Sequence, residues 1–203
     1  AWDGHYPSYL TMNSSKAELY QNVTIPRPKT ATIQHWKQLP YFFNERNEAR
    51  RRWYRRFEPH YFQDNIKDLY RMATEVDTVV GDIIAELKRQ GVYNNTLLVF
   101  TTDNGNLNGE HGLVEKWYPF EESIRVPLVI QDPRMPKEMQ GTTSDAWTLN
   151  VDLAPTLLGA ANIPPSRFMQ GRDIAQLYLD ENPTWRKDFF YEYNLGDLIT
   201  GAD

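Results

Sequence analysis

The feature that most constrains this chain is an apolar segment that stops abruptly at polar residues. Residues 96–102 are rich in apolar, β-branched and aromatic side chains, and Asp103-Asn104-Gly105 follows them directly. Such a run predicts a buried strand. Open α/β sheets bind their ligands beyond the carboxyl ends of their strands. Asp103 and Asn104 are therefore candidate ligand-binding residues at the end of a central strand.

The chemistry of these two side chains leaves two readings open. Carboxylate and amide oxygens suit a hard cation such as Ca²⁺ or Mg²⁺ better than a soft metal. Asn-Gly is also a common turn dipeptide, so Asp103-Asn104-Gly105 taken alone fits an ordinary turn better than a metal site.

A long amphipathic helix is predicted upstream, over residues 65–90. Asp64 or Asn65 is the expected N-cap, and Gly91 follows the last turn. A helix followed by strands at 96–102 and 126–131 predicts an α/β fold with a mainly parallel central sheet and helices on its faces. One stripe of apolar side chains is expected to be buried: Ile66, Leu69, Tyr70, Ala73, Val76, Val80, Ile83 and Leu87.

Two other segments need an interpretation. Residues 50–57 mix arginines with aromatic residues, which fits a nucleic-acid or polyanion surface, sulfated glycan included, or a solvated helix that packs Trp53, Tyr54 and Phe57 inward. The solvated helix is the favoured interpretation. Further along, Asp152 is the expected cap of a helix with Pro155 in its first turn.

Composition excludes several classes of function. The net charge of −5 argues against nucleic acid as the main partner. No apolar run is long enough to span a bilayer. The chain has no cysteine, which excludes disulfides, thiolate metal sites and a cysteine nucleophile within these 203 residues.

Four motifs follow one another after the central strand: Asp103-Asn104-Gly105, Glu110-His111-Gly112, Lys116-Trp117 and residues 120–130. Their order resembles the later part of the sulfatase catalytic domain, in the alkaline-phosphatase-like superfamily. The resemblance implies that Asp103 and Asn104 ligate a divalent cation, Ca²⁺ being expected and Mg²⁺ possible, and that Lys116 binds the sulfate.

Two histidines gain candidate roles from the same resemblance. His5 lies in a His-x-Pro motif, and the family's histidine there contacts the ester oxygen and helps to protonate the leaving group. Imidazole suits this task because its usual pKa lies near neutrality. His111 is a candidate substrate contact, with packing of the loop as the equally weighted alternative.

The resemblance also predicts that the chain is incomplete at both ends. Residues 1–193 match the later catalytic domain, and 194–203 the start of the connection to a carboxyl-terminal subdomain. The formylglycine nucleophile, made from Cys or Ser, is expected in an amino-terminal segment, because the near match at 163–167 has Ile163 at the nucleophile position. We therefore expect the isolated chain to be inactive and its sheet to have an exposed edge or face.

The implied function is metal-dependent hydrolysis of a sulfated small molecule or sulfated glycan by a secreted, periplasmic or lysosomal enzyme. A phosphodiesterase or phosphonate hydrolase of the same superfamily is the enzymatic alternative. Asn104 favours a sulfatase, since several phosphoryl-transfer relatives have His at this position. The third possibility is a non-catalytic protein that binds glycans.

Overall fold

A computed structural model describes residues 18–193. The described residues divide into two compact units. The first contains residues 18–91, 104–126 and 193, and the second contains residues 92–103 and 127–192. One of the boundaries between the units falls between Asp103 and Asn104.

The helices and strands are short, with one exception. The exception is α3, which has 28 residues. Among the described residues, no helix combines the length and apolar character needed to cross a bilayer. In chain order the elements are α1 (Ile33–Lys37), α2 (Glu48–Arg56), α3 (Phe62–Arg89), β1 (Leu98–Thr101), β2 (Leu107–Asn108), β3 (Val114–Glu115), α4 (Glu121–Ile124), β4 (Leu128–Gln131), α5 (Leu153–Ala160) and α6 (Gln176–Leu179), with 3-10 turns at Tyr93–Asn95, Glu110–Gly112, Lys137–Met139 and Asn150–Asp152.

Helix α2 builds the core of the first unit. Its N-cap Asn47 accepts a hydrogen bond from the Ala49 backbone at 3.0 Å, which satisfies one free amide of the first turn. Trp53 and Phe57 are buried as predicted, whereas Tyr54 is 38% exposed. The predicted solvated helix is correct only in part, because Arg51 and Arg55 are exposed but Arg50 and Arg56 are buried.

Helix α3 is correctly predicted at its end and wrongly at its start. Gly91 follows it with a φ of 73°, as a glycine beyond a helix terminus does. The helix begins at Phe62 instead of Asn65, because Phe62 packs in the core beside Phe57. Neither predicted cap is used, and the Asn65 side chain donates to the Arg56 carbonyl at 2.5 Å.

The predicted buried stripe of α3 is not buried along its length. In the first two turns, Phe62 and Ile66 are buried. In the later turns, Val76 and Ile83 of the predicted stripe are 47% and 51% exposed. Helical periodicity predicted the apolar face correctly, but periodicity carries no information about which segment covers that face.

The two predicted strands exist, form one sheet and belong to the second unit. Strand β1 pairs with β4, with Leu98 opposite Gln131. This pairing is antiparallel, which corrects the expected parallel arrangement for these two strands. The chain between them contains no long crossover helix of the kind that parallel neighbours need. Phe100 and Val129 are 37% and 61% exposed, which fits the expected open face. The prediction that residues 96–102 form a buried strand is wrong, because no residue of β1 is buried.

A buried ion pair organises the second unit around α5. Asp152 is fully buried and forms a salt bridge with Arg186. The Asp152 carboxylate also accepts hydrogen bonds from the backbone amides of Leu149 and Arg172, each at 2.8 Å. Burial alone would raise the pKa of this carboxyl, but its hydrogen bonds lower the pKa below the usual value. The predicted cap is thus a junction between three chain segments.

Candidate functional site

Two of the predicted site residues lie in direct contact. The Lys116 ammonium donates a hydrogen bond to the Asn104 side-chain oxygen at 3.0 Å. The Asn104 amide group donates to the Gly105 carbonyl at 2.8 Å, which directs its oxygen towards Lys116.

A close approach of two backbone segments fixes the position of Asn104. The Gly105 amide donates to the Ser123 carbonyl at 2.9 Å, beside α4. A Cβ atom at Gly105 would lie 2.2 Å from the Glu122 carbonyl oxygen. Only glycine fits at this position, because any side chain would push the residue after Asn104 away from α4.

Lys116 follows a short hairpin. Strands β2 and β3 pair antiparallel, with Leu107 opposite Glu115. Glu115 and Trp117, on either side of Lys116, have φ angles of 78° and 88°. Non-glycine residues rarely adopt this left-handed region, and such strain concentrates at functional sites.

Two arginines of α2 contact the buried carboxylate of Glu115. Arg52 lies 3.0 Å from its Oε1 atom, and Arg56 donates to the same oxygen. Glu115 and Arg56 are only 6% and 7% exposed. Breaking a buried pair of this kind leaves an uncompensated charge, so the contact strongly favours one conformation of Glu115.

A third arginine of α2 holds the turn of the hairpin. Arg50 is 2% exposed and donates to the Gly112 carbonyl at 2.9 Å. Its guanidinium lies 4.1 Å from the Trp36 ring centre and 4.4 Å from that of Trp53. These cation–π contacts explain how α2 buries an arginine.

His111 packs in the loop before Lys116. Its ring stacks on Phe120 with a centroid distance of 4.4 Å, and its Nε2 atom lies 3.6 Å from the Glu122 carboxylate. Its backbone amide donates to Thr30 at 3.3 Å. Burial raises the pKa of the neighbouring Glu110 carboxyl, although a backbone hydrogen bond from Asn108 opposes this effect. These contacts describe packing, and a substrate contact of His111 stays a prediction.

The roles predicted for Asp103 and His5 stay predictions. The Asp103 carbonyl accepts from the Asn150 side chain at 2.7 Å, within the second unit. His5 lies outside the described residues. Within residues 18–193, no group of three or more His, Asp or Glu side chains has the arrangement of a metal site.

Sequence reasoning missed Glu115 and its arginine partners. Arg56 and Glu115 are 59 positions apart in the sequence, which is beyond the reach of local periodicity. The one available signal is charge: residues 50–57 contain five arginines, more than the nearby glutamates balance.

Comparison with solved structures defines the class of the fold. The chain superposes on a phosphonate monoester hydrolase from Silicibacter pomeroyi with a TM-score of 0.75 over 91% of this chain and 39% of that one, at 24% identity. A protein solved with its substrate D-glucosamine-2-N,6-O-disulfate gives a TM-score of 0.61 at 34% identity, over 66% of this chain and 27% of that one. The α/β, alkaline-phosphatase-like fold is confirmed.

Comparison of sequences defines the family. The profile of the family named Sulfatase matches residues 15–163, well over half of the chain. The N-acetylglucosamine-6-O-sulfatase of Bacteroides thetaiotaomicron is 35% identical over 135 residues, which are 65% of this chain and 24% of that protein. The chain belongs to the sulfatase family, and it spans about a quarter of the length of this curated relative.

Proposed function

We propose that the full-length protein that contains this chain hydrolyses sulfate esters, and that Lys116 binds the sulfate group. The supporting observation is the contact of Lys116 with Asn104 in a chain of the sulfatase family. A lysine ammonium is a compact charge on a flexible stem, so Lys116 can exchange its amide partner for a sulfate oxygen.

We propose further that Asp103 and Asn104 supply part of the ligand set of a divalent cation, Ca²⁺ in the first instance and Mg²⁺ as the alternative. The donor chemistry fits, because a carboxylate and an amide stand side by side in the sequence, and both offer the oxygen ligands that hard cations take. When bound, such a cation polarises sulfate oxygens and neutralises developing charge. Lys116 would add positive charge beside it and hold the sulfate in place.

The proton donor and the nucleophile are proposed from the resemblance to the family. His5 would donate a proton to the leaving alcohol, for which an imidazole is suited near neutral pH. The formylglycine nucleophile is expected outside these residues, since the sequence contains no cysteine and the motif-like segment 163–167 begins with Ile163. His111 would touch the substrate from the loop before Lys116.

We propose a sulfated sugar or other sulfated small molecule as the substrate class. The relative from Bacteroides thetaiotaomicron is named for a sulfated amino sugar, and the similar solved structure contains a disulfated glucosamine. An extracytoplasmic location, whether secreted, periplasmic or lysosomal, belongs to the same proposal. The phosphonate hydrolase fold neighbour keeps phosphoryl ester hydrolysis as the second candidate.

The test is an assay of the full-length protein, matured for formylglycine, with 4-nitrophenyl sulfate and with a phenylphosphonate ester. We expect multiple turnovers on the sulfate, loss after chelation of metal, and recovery with Ca²⁺. Lys116→Ala and Asp103→Ala should each lower kcat by about 100-fold or more, the usual effect of removing one group that stabilises developing charge. Lys137→Ala, an exposed lysine of the second unit, is the matched control.

Three results would contradict the proposal. Hydrolysis of the phosphonate ester alone would favour the second candidate. Binding of sulfated glycans without any turnover would favour the non-catalytic alternative. Full activity in both Lys116→Ala and Asp103→Ala would remove these residues from the site.

A further inference from the structure

We propose that Arg52, with Arg56, is a positioning residue that holds Lys116 at the sulfate site by fixing the two strained residues on either side of it. The inference rests on the proposed role of Lys116. It gives the arginine-rich helix α2 a function that is neither a solvated surface nor a binding surface for polyanions.

The need for support comes from the backbone around Lys116. Glu115 and Trp117 have φ angles of 78° and 88°. Glycine, asparagine and aspartate tolerate such angles best, whereas glutamate and tryptophan strongly prefer negative φ. Left alone, the segment would relax to an ordinary extended conformation and carry the Lys116 side chain to a different direction.

Arg52 contacts both strained residues. Its Nη1 atom lies 3.0 Å from Glu115 Oε1, and its guanidinium lies 5.2 Å from the Trp117 ring centre. A planar guanidinium can make both contacts at once because it forms hydrogen bonds in its plane and stacks through its face. Arg52 thus contacts the residue before and the residue after Lys116.

The orientation of Arg52 is itself fixed. Its Nε atom donates to Glu48 at 2.7 Å, one turn earlier on α2. Arg56, one turn later, donates to the Glu115 oxygen that Arg52 also contacts. Glu115 therefore has two cationic partners on one rigid element, which restricts both its side chain and its backbone.

The contacts of Arg52 and Arg56 lie next to Lys116, so a role in positioning Lys116 can be distinguished from a general contribution to the stability of the core. Both arginine partners act on the residue adjacent to Lys116, and the Lys116 ammonium reaches Asn104 at 3.0 Å in this arrangement. If Arg52 acts through Lys116, its removal should matter only while Lys116 is present. This dependence can be measured.

The experiment is a double-mutant cycle in the full-length protein with Arg52→Gln and Lys116→Ala. The two readouts are kcat/KM for 4-nitrophenyl sulfate and Kd for inorganic sulfate. We expect Arg52→Gln alone to lower kcat/KM and to raise Kd by about 10–100-fold each, the usual effect of removing a partner that orients a site residue. In the Lys116→Ala background, Arg52→Gln should change kcat/KM and Kd by no more than about twofold, which is within the usual scatter of such measurements.

Two further variants keep the cycle informative. Arg51→Gln is the matched control, since Arg51 lies on the same helix, pairs with Glu48 at 3.4 Å and has a side chain that is 62% exposed. Arg52→Lys keeps a charge near Glu115 but loses the planar contact with Trp117, so we expect an intermediate loss. If Arg52→Gln does not fold, Arg52→Lys carries the cycle.

The outcomes separate this inference from the proposed function. An equal loss in both backgrounds, or none in either, would overturn the positioning role. If the wild-type protein binds sulfate but hydrolyses no sulfate ester, the proposed function fails, and the cycle on Kd still decides the role of Arg52. If Lys116→Ala leaves sulfate binding unchanged, both proposals fail.

Discussion

Two buried carboxylates, Glu115 in the first unit and Asp152 in the second, bind arginine in different ways. Asp152 is fully buried and accepts from Arg186 and from two backbone amides. Glu115 is 6% exposed, and its carboxylate contacts Arg52 and Arg56, which lie on the same helix. The backbone of Glu115 is strained, with a φ of 78°.

The difference indicates what each acid does. Asp152 joins segments that are distant in the sequence through the Arg172 backbone amide and the Arg186 guanidinium, which is the chemistry of a structural junction. Glu115 transmits the fixed orientation of α2 to a turn that carries a candidate binding residue, Lys116. A buried acid beside backbone strain is thus a better indicator of a functional site than a buried acid alone.

The largest effects are expected from removing either acid in the full-length protein. Asp152→Ala and Glu115→Ala should each lower the free energy of unfolding by about 3–5 kcal/mol, because each removes the carboxylate partner of an almost completely buried arginine side chain. Denaturant unfolding measures the loss. Asp152→Ala should retain kcat/KM per folded molecule, whereas Glu115→Ala should lower it. Equal activity of the two folded variants would contradict the separation of a structural role for Asp152 from a site-supporting role for Glu115.

Two glycines at close approaches of the backbone give the next largest effects. Cβ atoms at Gly105 and Gly171 would lie 2.2 Å and 1.9 Å from backbone oxygens of Glu122 and Val151. Gly105→Ala and Gly171→Ala should each cost about 1–3 kcal/mol of stability through overpacking. Activity should fall beyond the stability loss only in Gly105→Ala, which displaces Asn104.

Gly81→Ala is the control for this pair. No atom lies within 4 Å of a Cβ built at Gly81, in the middle of α3. Because glycine is unfavourable inside a helix, this change should stabilise the protein by about 0.5–1 kcal/mol. Stability losses in all three variants would show that the close approaches are not the cause.

A third buried acid adds a smaller, pH-dependent effect. Burial alone would raise the pKa of Asp132, but hydrogen bonds from Arg134 and Tyr178 lower it from 3.8 to about 2. The folded state therefore gains about 2 kcal/mol from this group above pH 4, and the gain disappears as the pH falls towards 2. Unfolding of Asp132→Asn between pH 2 and 5 should show a correspondingly weaker pH dependence.

The smallest effect is expected from the exposed side of α2. Arg51→Gln removes a surface contact with Glu48 at 3.4 Å and should change stability by no more than about 0.5 kcal/mol. A loss comparable to that of Glu115→Ala would mean that the charge of α2 as a whole, and not its buried contacts, stabilises the loop.

Local signals in the sequence predicted part of this structure. The two strands, the end of α3 at Gly91 and the meeting of Asn104 with Lys116 followed from periodicity, turn chemistry and family motifs. These features depend on residues close in the chain or on a recognisable order of motifs.

The failed predictions depend on distant partners. The start of α3 moved because Phe62 packs beside Phe57, and the strands pair antiparallel because the chain between them forms no crossover helix. The φ angle of Glu115 contradicts the preference of glutamate and is explained only by arginines about 60 positions earlier. No local pattern contains that information.

The most direct test of the central claim is a crystal structure of the full-length protein with bound inorganic sulfate and divalent cation. We predict a sulfate oxygen within about 3 Å of the Lys116 ammonium, the usual length of a charge-assisted hydrogen bond. The φ angles of Glu115 and Trp117 should remain positive. Sulfate bound elsewhere, with Lys116 still paired only with Asn104, would contradict the account.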